Sequence, residues 1–423
     1  MTLRSLVSIS LLLMFASQVT LAQQTQTSGE DEAQTVQQFG GPSSVPGQLA
    51  DDRRLTESLT DIDMPENWAE WKKRLLEESG LDFTIDYNAN VSHATNTLNE
   101  EDNFAGGVIR LFGQWDLTGK ESGNTGSLIG KIEHRHKYTT IAPNGIKNEI
   151  GYVGLITPIF SDIGARLTNL YWKQNLNQKR IEIVAGFLDT TDWVDVYALA
   201  PPWTAFTNFA FATGSATIVP PDESALGIYF NAMLTDDIYF MAGFADSNAD
   251  STDPFNGFDT FFNDHEFFKT IELGWVTSRD RFYLDNRHIT FWHSDERKAA
   301  GVKDGWGVSF SLSHSFNEKW MPFLRGGYAE DGGTLLQKSL STGLGYHWGT
   351  NNSLFAIGIN WGQPNEDTFG PGLKDQTSIE IFSRLQVAQN FQLTPALHYM
   401  RNPALNTEAN HSWVVALRAR VNF

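Results

Sequence analysis

Residues 306–316 read Trp-Gly-Val-Ser-Phe-Ser-Leu-Ser-His-Ser-Phe. Trp306, Val308, Phe310, Leu312, His314 and Phe316 alternate with Gly307, Ser309, Ser311, Ser313 and Ser315. A period of two held over this length marks a β-strand with one apolar and one polar face. The end of the chain repeats the pattern, with Trp413, Val415, Leu417, Ala419, Val421 and Phe423 set against Val414, Ala416, Arg418, Arg420 and Asn422. In 378–387, Ile379, Ile381, Leu385 and Val387 oppose Glu380, Phe382, Arg384 and Gln386.

A soluble sandwich alternates too, so the chemistry of the faces decides. The polar faces carry Arg110, Lys131, Glu133, Arg135, Glu182, Arg384 and Arg418 well inside their strands. A dry core does not accept charges at mid-strand. A barrel with lipid outside and water inside does, and its apolar face is bounded by aromatic residues as here. Closure also pairs every backbone group within the hydrocarbon. The fold class read from the sequence is therefore all-β, a transmembrane antiparallel β-barrel over residues 80–423. Its strands are placed at 81–93, 105–118, 127–139, 165–175, 180–188, 225–234, 237–246, 267–277, 281–293, 304–316, 319–330, 337–349, 352–363, 376–388, 390–401 and 412–423. That makes sixteen, with eighteen as the alternative because 148–157 also looks strand-like. Sixteen strands enclose an aqueous channel unless loops narrow it. The connection 189–224 is expected to do so by folding inward. It is long and carries Trp193, Trp203, Phe206, Phe209, Phe211 and two Pro-Pro pairs. The alternative is an extracellular cap packed on itself.

Ahead of the barrel, residues 1–22 read as a signal peptide, with Arg4 before an apolar core and Thr20-Leu21-Ala22 as the cleavage site. Residues 23–63 are rich in Gln, Thr, Ser, Gly, Pro and acid, and are expected to be a disordered periplasmic segment. Residues 64–79 are expected to form a short periplasmic amphipathic helix. Trp68, Trp71, Leu75 and Leu76 share one stripe, Pro65 suits the first turn and Gly80 the C-terminal cap. Its stripe is read as docking on the following domain, rather than as an interfacial helix.

Composition removes several classes of function. With 31 Lys plus Arg against 50 Asp plus Glu, a net charge of −19, the chain lacks the basic footprint of a nucleic-acid binder. It has no cysteine, hence no disulfides, thiolate metal sites or cysteine nucleophile. Asp246, Asn248 and Asp250 begin a calcium-loop spacing, but Ser251 stands where glycine is required. His134 and His136 share a face with Ile132 and Tyr138, the lipid side, which argues against a metal pair. No nucleophile elbow, zinc-protease motif or phosphate loop is present. The expectation is no catalytic residue, no metal and no cofactor.

Taken in order, particular residues give a resemblance. An amphipathic, Trp-bearing helix runs into Gly80-Leu81. Leu170-Tyr171-Trp172-Lys173-Gln174 precedes Gly186-Phe187-Leu188-Asp189, and Leu393-Thr394-Pro395, Asn402-Pro403, Leu417-Arg418 and a terminal Phe423 follow. From about Trp68 to Phe423 this resembles the carbohydrate-selective porin family of OprB type. The chain departs from that family's pattern at Phe187, at Glu380-Ile381-Phe382 and at Ala396-Leu397-His398. The resemblance implies a sixteen-stranded channel in the outer membrane of a Gram-negative cell, passing monosaccharides such as glucose by facilitated diffusion.

Sugars are neutral and hydroxyl-rich, so a selective channel needs hydrogen bonds from both acids and bases, together with aromatic faces. The polar faces offer Arg110, Gln114 and Asp116, then Lys131, Glu133 and Arg135, then Glu182, Glu272, Arg287, Glu380, Arg384 and Arg418 as channel-lining candidates. Arg110, Glu133, Arg135, Glu380 and Arg384 lead, because the two ends of the chain become neighbours on closure. For any one of these residues the plainer reading is a wall charge paired across strands. Expected partners are small neutral sugars, outer-membrane lipid and, through Phe423, the barrel-assembly machinery. Nucleic acid is not among them, and the barrel is a monomer or a homotrimer. The rival functions are a porin without sugar preference, an outer-membrane barrel enzyme, and a structural barrel tethering another envelope component.

Overall fold

The computed structural model describes residues 39–53, 58–60, 66–349 and 352–423. The signal peptide and Pro65 lie outside them. Sixteen strands run in chain order: β1 (Leu81–Ala94), β2 (Asn103–Thr118), β3 (Gly126–Lys137), β4 (Gly164–Leu176), β5 (Ile181–Leu188), β6 (Ala225–Met233), β7 (Ile238–Asp246), β8 (Phe267–Val276), β9 (Asn286–Ser294), β10 (Gly305–Ser313), β11 (Trp320–Asp331), β12 (Leu336–His347), β13 (Leu354–Pro364), β14 (Gln376–Ala388), β15 (Phe391–Arg401) and β16 (His411–Asn422). Each pairs antiparallel with its sequence neighbours, and β1 pairs with β16 to close the barrel. Every strand expected from the alternation is present. The count is sixteen rather than eighteen among the described residues, because 148–157 is not a strand. There a helical turn at Ile146–Glu149 leads into irregular chain. Its Ile146, Ile150 and Ile156 are buried with Phe104, Met400 and Val414 at the mouth.

The faces are those of a membrane barrel. On β16, Val415 is 56% exposed and Arg418 3%, so the apolar side chains point outward and the charged ones inward. An inward charge surrounded by polar partners and an outward aliphatic facing lipid are the arrangement a bilayer selects. His134 and His136 lie on the outward side, where His136 stacks on Tyr87. The long connections gather at one end of the barrel, and the short turns and both ends of the β1–β16 sheet at the other. The former is the extracellular end and the latter the periplasmic end.

One register differs from expectation. The residues before β9 are spent in a 3-10 turn, Arg279–Arg281, so the strand starts at Asn286 rather than at 281. Arg287 therefore points outward, where its guanidinium lies 4.6 Å from the Trp275 ring, and His288 points into the lumen. Arg287 is accordingly not a channel-lining residue. Arg287→Ala is expected to leave solute permeation unchanged, while His288→Ala changes it. A single-channel conductance measurement on both variants checks the assignment.

The amphipathic helix, α2 (Glu66–Ser79), docks on the outward face of β1, with Trp68 and Trp71 edge-on to Phe83. Gly80 ends it with φ +79°, a conformation suited to glycine, and its N–H bonds the Leu76 carbonyl. The larger departure is upstream. Residues 39–53, expected to be disordered, are ordered inside the barrel, with helix α1 at Val45–Asp52. Ser44 caps α1 by accepting from the Gly47 N–H, and Pro46 sits in its first turn. Phe39, Val45 and Leu49 are buried in one cluster with inward-facing Phe112 and Ile129 and with Phe282. These apolar side chains give the segment a surface to bury, which its polar composition conceals.

Candidate functional site

The 189–224 connection folds into the lumen, and the wall charges hold it there. Asp195 is its central anchor. One of its carboxylate oxygens faces His288 Nε2 at 2.7 Å, and the other accepts from Arg325 Nη2 at 2.5 Å. Its own N–H donates to Glu272 Oε2 at 2.9 Å. Glu272 also accepts from Tyr239 (2.8 Å) and Thr290 (2.7 Å). The Arg325 fork continues to the Asp195 and Ala212 carbonyls and to Ser311 Oγ, with its plane over the Tyr197 ring. Burial alone would raise the Asp195 carboxyl. The Arg325 charge and the His288 hydrogen bond outweigh it and hold the group below the ordinary carboxylate range.

Farther round the wall, Glu380 of β14 accepts the backbone N–H groups of Thr207 and Asn208, each at 2.8 Å. Arg384 donates to the Thr204 carbonyl at 3.1 Å, and Arg418 to those of Pro202 (2.6 Å) and Ala205 (3.1 Å). Ser341 of β12 donates to the Ala210 carbonyl. Glu182 accepts from the indole N–H of Trp193 at 3.3 Å. Lys131 stands 3.9 Å from Asp189 at the start of the connection. A connection with this much buried backbone needs such partners, since an unpaired buried carbonyl or N–H is costly. Some side chains of the connection lack such partners, among them the Thr190, Ser215 and Ser224 hydroxyls and Asp192. Both Asp192 carboxylate oxygens are buried without a hydrogen-bond partner, and burial, reinforced by Asp189, pushes its carboxyl well above the ordinary value.

The remaining candidates form wall pairs. Asp86 of β1 accepts from Arg110 Nε of β2 (2.7 Å) and Arg420 Nε of β16 (2.8 Å), which joins the two ends of the chain across the closure. Arg110 also faces the Trp203 ring at 3.7 Å. Glu133 accepts from Arg135 (2.8 Å), and Arg135 reaches Glu223 at the mouth (2.9 Å). Gln114 and Asp116 pair with each other and with Lys173 and Ser127 near the periplasmic end.

Of the twelve sequence candidates, eleven face the lumen and Arg287 does not. Glu182, Glu272, Glu380, Arg384 and Arg418 grip the inserted connection more than they line an open bore. Sequence reasoning missed Asp195, Thr207, Asn208 and Trp203 as site residues, because a connection has no periodicity to reveal its inward side. Asp86, Arg166 and Arg420 were within reach, since each continues the polar alternation of its strand.

The resulting path is wide at the mouth and pinched below. A cavity of about 470 Å³, bordered by Arg135, Arg166, Trp203, Thr207, Asn208 and Glu223, opens at the extracellular end. Two small voids of about 10 Å³ each lie by Glu380 and Arg418 and by Gln48, Trp203 and Arg420. Each holds about one water. Trp203 borders the mouth and one of the two voids.

The family model described as carbohydrate-selective porin, OprB family, matches residues 137–423. Among solved structures, the high-pH structure of Pseudomonas putida OprB is similar at 15% identity and TM-score 0.69, covering 87% of this chain and 99% of that one. Its low-pH structure is similar at 13% identity and TM-score 0.51, with coverage of 87% and 99%. A triple mutant of Rhodopseudomonas blastica porin is similar at 12% identity and TM-score 0.50, covering 81% of this chain and all of that one. These likenesses concern the fold. No curated protein matches the chain in sequence. The closed barrel of sixteen strands, with its charged lumen and inserted connection, and the family match over most of its length together place the protein in the outer membrane as a porin: the chain belongs to the carbohydrate-selective porin family, OprB type.

Proposed function

We propose that the channel passes small neutral sugars, monosaccharides such as glucose, down their gradient through the gap between the inserted connection and the wall. The carrying observation is the pinched path itself: Arg418 stands beside Glu380, Arg110 and Arg420 flank Asp86, and the Trp203 face lies over Arg110. Groups of both signs offer donors and acceptors to hydroxyls, while the indole covers a sugar's C–H surface. A passage of mixed sign gives a neutral polyol more than it gives an anion or a cation. Export by residues 1–22 and delivery through the barrel-assembly machinery, with Phe423 as the terminal signal, complete the reading.

Liposome swelling with the refolded 23–423 chain tests it. Glucose is expected to enter several-fold faster than a zwitterionic amino acid of similar size. Equal rates mean a general porin and end the sugar assignment. The absence of swelling with any solute ends the channel reading as well.

A further inference from the structure

We propose that residues 39–53 are a resident plug, an intrachain ligand seated across the periplasmic half of the channel, which must shift for solute to pass. The contacts show a crossing rather than a wall lining. At one end, Asp52 makes two hydrogen bonds to the Arg420 guanidinium of β16 (2.8 and 2.9 Å), and Arg53 pairs with Asp82 of β1 at 3.2 Å. At the other end, Phe39 packs edge-on against Phe282, and the Gly40 carbonyl accepts from the Tyr283 hydroxyl, both in the connection between β8 and β9. In a closed barrel of sixteen strands in sequence order, β16 and β8–β9 stand on opposite sides of the circumference. The segment therefore spans the lumen from wall to wall.

It meets the inserted connection on the way. The Gly41 N–H donates to the Asp192 carbonyl at 2.6 Å, and a Cβ built on Gly41 falls against Val196 Cγ1. Between these ends, α1 offers Gln48 to Arg110 at 2.7 Å and Asp52 to Arg420. Arg420 borders a void that Trp203 also lines, and Arg110 lies under the Trp203 ring. The amide and carboxylate oxygens of the plug thus take the donors that sugar hydroxyls would use, which makes a passing sugar its competitor. This clause rests on the sugar reading, whereas the obstruction itself does not.

The wall is also built to lose the segment. Asp86 already accepts from both Arg110 and Arg420, so withdrawal of Gln48 and Asp52 leaves each arginine with its wall partner. By contrast, the 189–224 connection supplies Asp195, whose loss takes from Arg325 its carboxylate partner and from His288 Nε2 its acceptor. One inserted element is therefore fixed by the wall's own charges, and the other is not required by them.

Two variants of the full chain test the plug. Deletion of residues 39–53 is expected to raise single-channel conductance in potassium chloride several-fold, and conductance equal to the parent overturns the proposal. Gly41→Cys with Val196→Cys, in a chain that otherwise has no cysteine, ties the plug to the inserted connection without deleting anything. Oxidation is expected to abolish glucose swelling, with dithiothreitol restoring it. Undiminished swelling in the oxidised state shows that the segment need not move and overturns the proposal even if the deletion fails to fold. The salt conductance involves no sugar, so the plug and the sugar preference fail separately: glucose and amino acid entering the deletion variant at equal rates would sink the latter alone.

Discussion

Asp195→Ala is expected to turn the pinched channel into a wide and weakly selective one, with conductance rising several-fold at neutral pH and a disaccharide admitted where the parent excludes it. The reason is the number of buried groups that meet on one carboxylate. Asp195 is 1% exposed, and Arg325, His288 and the Gly214 N–H all converge on it. Removing one partner of a buried ion pair costs about 3–5 kcal/mol, because the other charge stays buried and unpaired. Ejecting this part of the connection relieves that cost by admitting water to Arg325 and His288. The barrel survives, since sixteen ladders close it independently of the connection. The anchors at Glu380, Arg384 and Arg418 also survive, so the release is confined to the β8–β11 side. Conductance and solute-size cut-off equal to the parent would refute this account.

The pH dependence follows in sign. The carboxyl of Asp195 is depressed in the folded state, so its anchoring is complete above the ordinary carboxylate range and is lost as pH falls through the depressed value. The parent should therefore widen beyond its neutral-pH conductance only in strong acid, whereas Asp195→Ala is wide throughout. A conductance titration that widened the parent near neutrality would point to a different latch.

The wall of this protein was legible in its sequence and the contents of the lumen were not, for a physical reason. A strand between lipid and water must alternate, so the pattern at Trp306–Phe316 and its counterparts placed sixteen strands, and no boundary but the start of β9 moved by more than three residues. Register rests on one residue, and a shift of one exchanges the faces of a strand. That is how a short turn at Arg279–Arg281 put Arg287 in the lipid-facing layer and His288 in the lumen. The connection 189–224 announced its inward fold through aromatic content, but which residues it aims at the wall depends on partners more than a hundred positions away, such as Arg325 for Asp195 and Glu380 for Thr207. Residues 39–53 were misread because their composition is that of a solvated segment. Their order is conferred by the cavity of a barrel completed at residue 422.

Trp203→Ala should remove most of the discrimination between glucose and an amino acid of similar size, with a smaller effect on salt conductance than Asp195→Ala. Trp203 is buried in the mouth cavity among Val108, Ile159 and Phe160, and its other side covers the Arg110 guanidinium at 3.7 Å. A stacked cation of this kind contributes about 1 kcal/mol. The ring also keeps Arg110 from swinging out of the path, so truncation loses the sugar-facing surface and the placement of a donor together. A loss of about 1 kcal/mol at the narrowest point corresponds to about a fivefold fall in the ratio of glucose to amino-acid swelling rates. Trp203→Phe retains an aromatic face and should keep most of that ratio, which separates stacking from mere bulk. Leucine at the same position fills space without a π face, so a Trp203→Leu variant that behaved like phenylalanine would show that the indole works only as a wedge, and the aromatic contribution to sugar selection would have to be sought elsewhere.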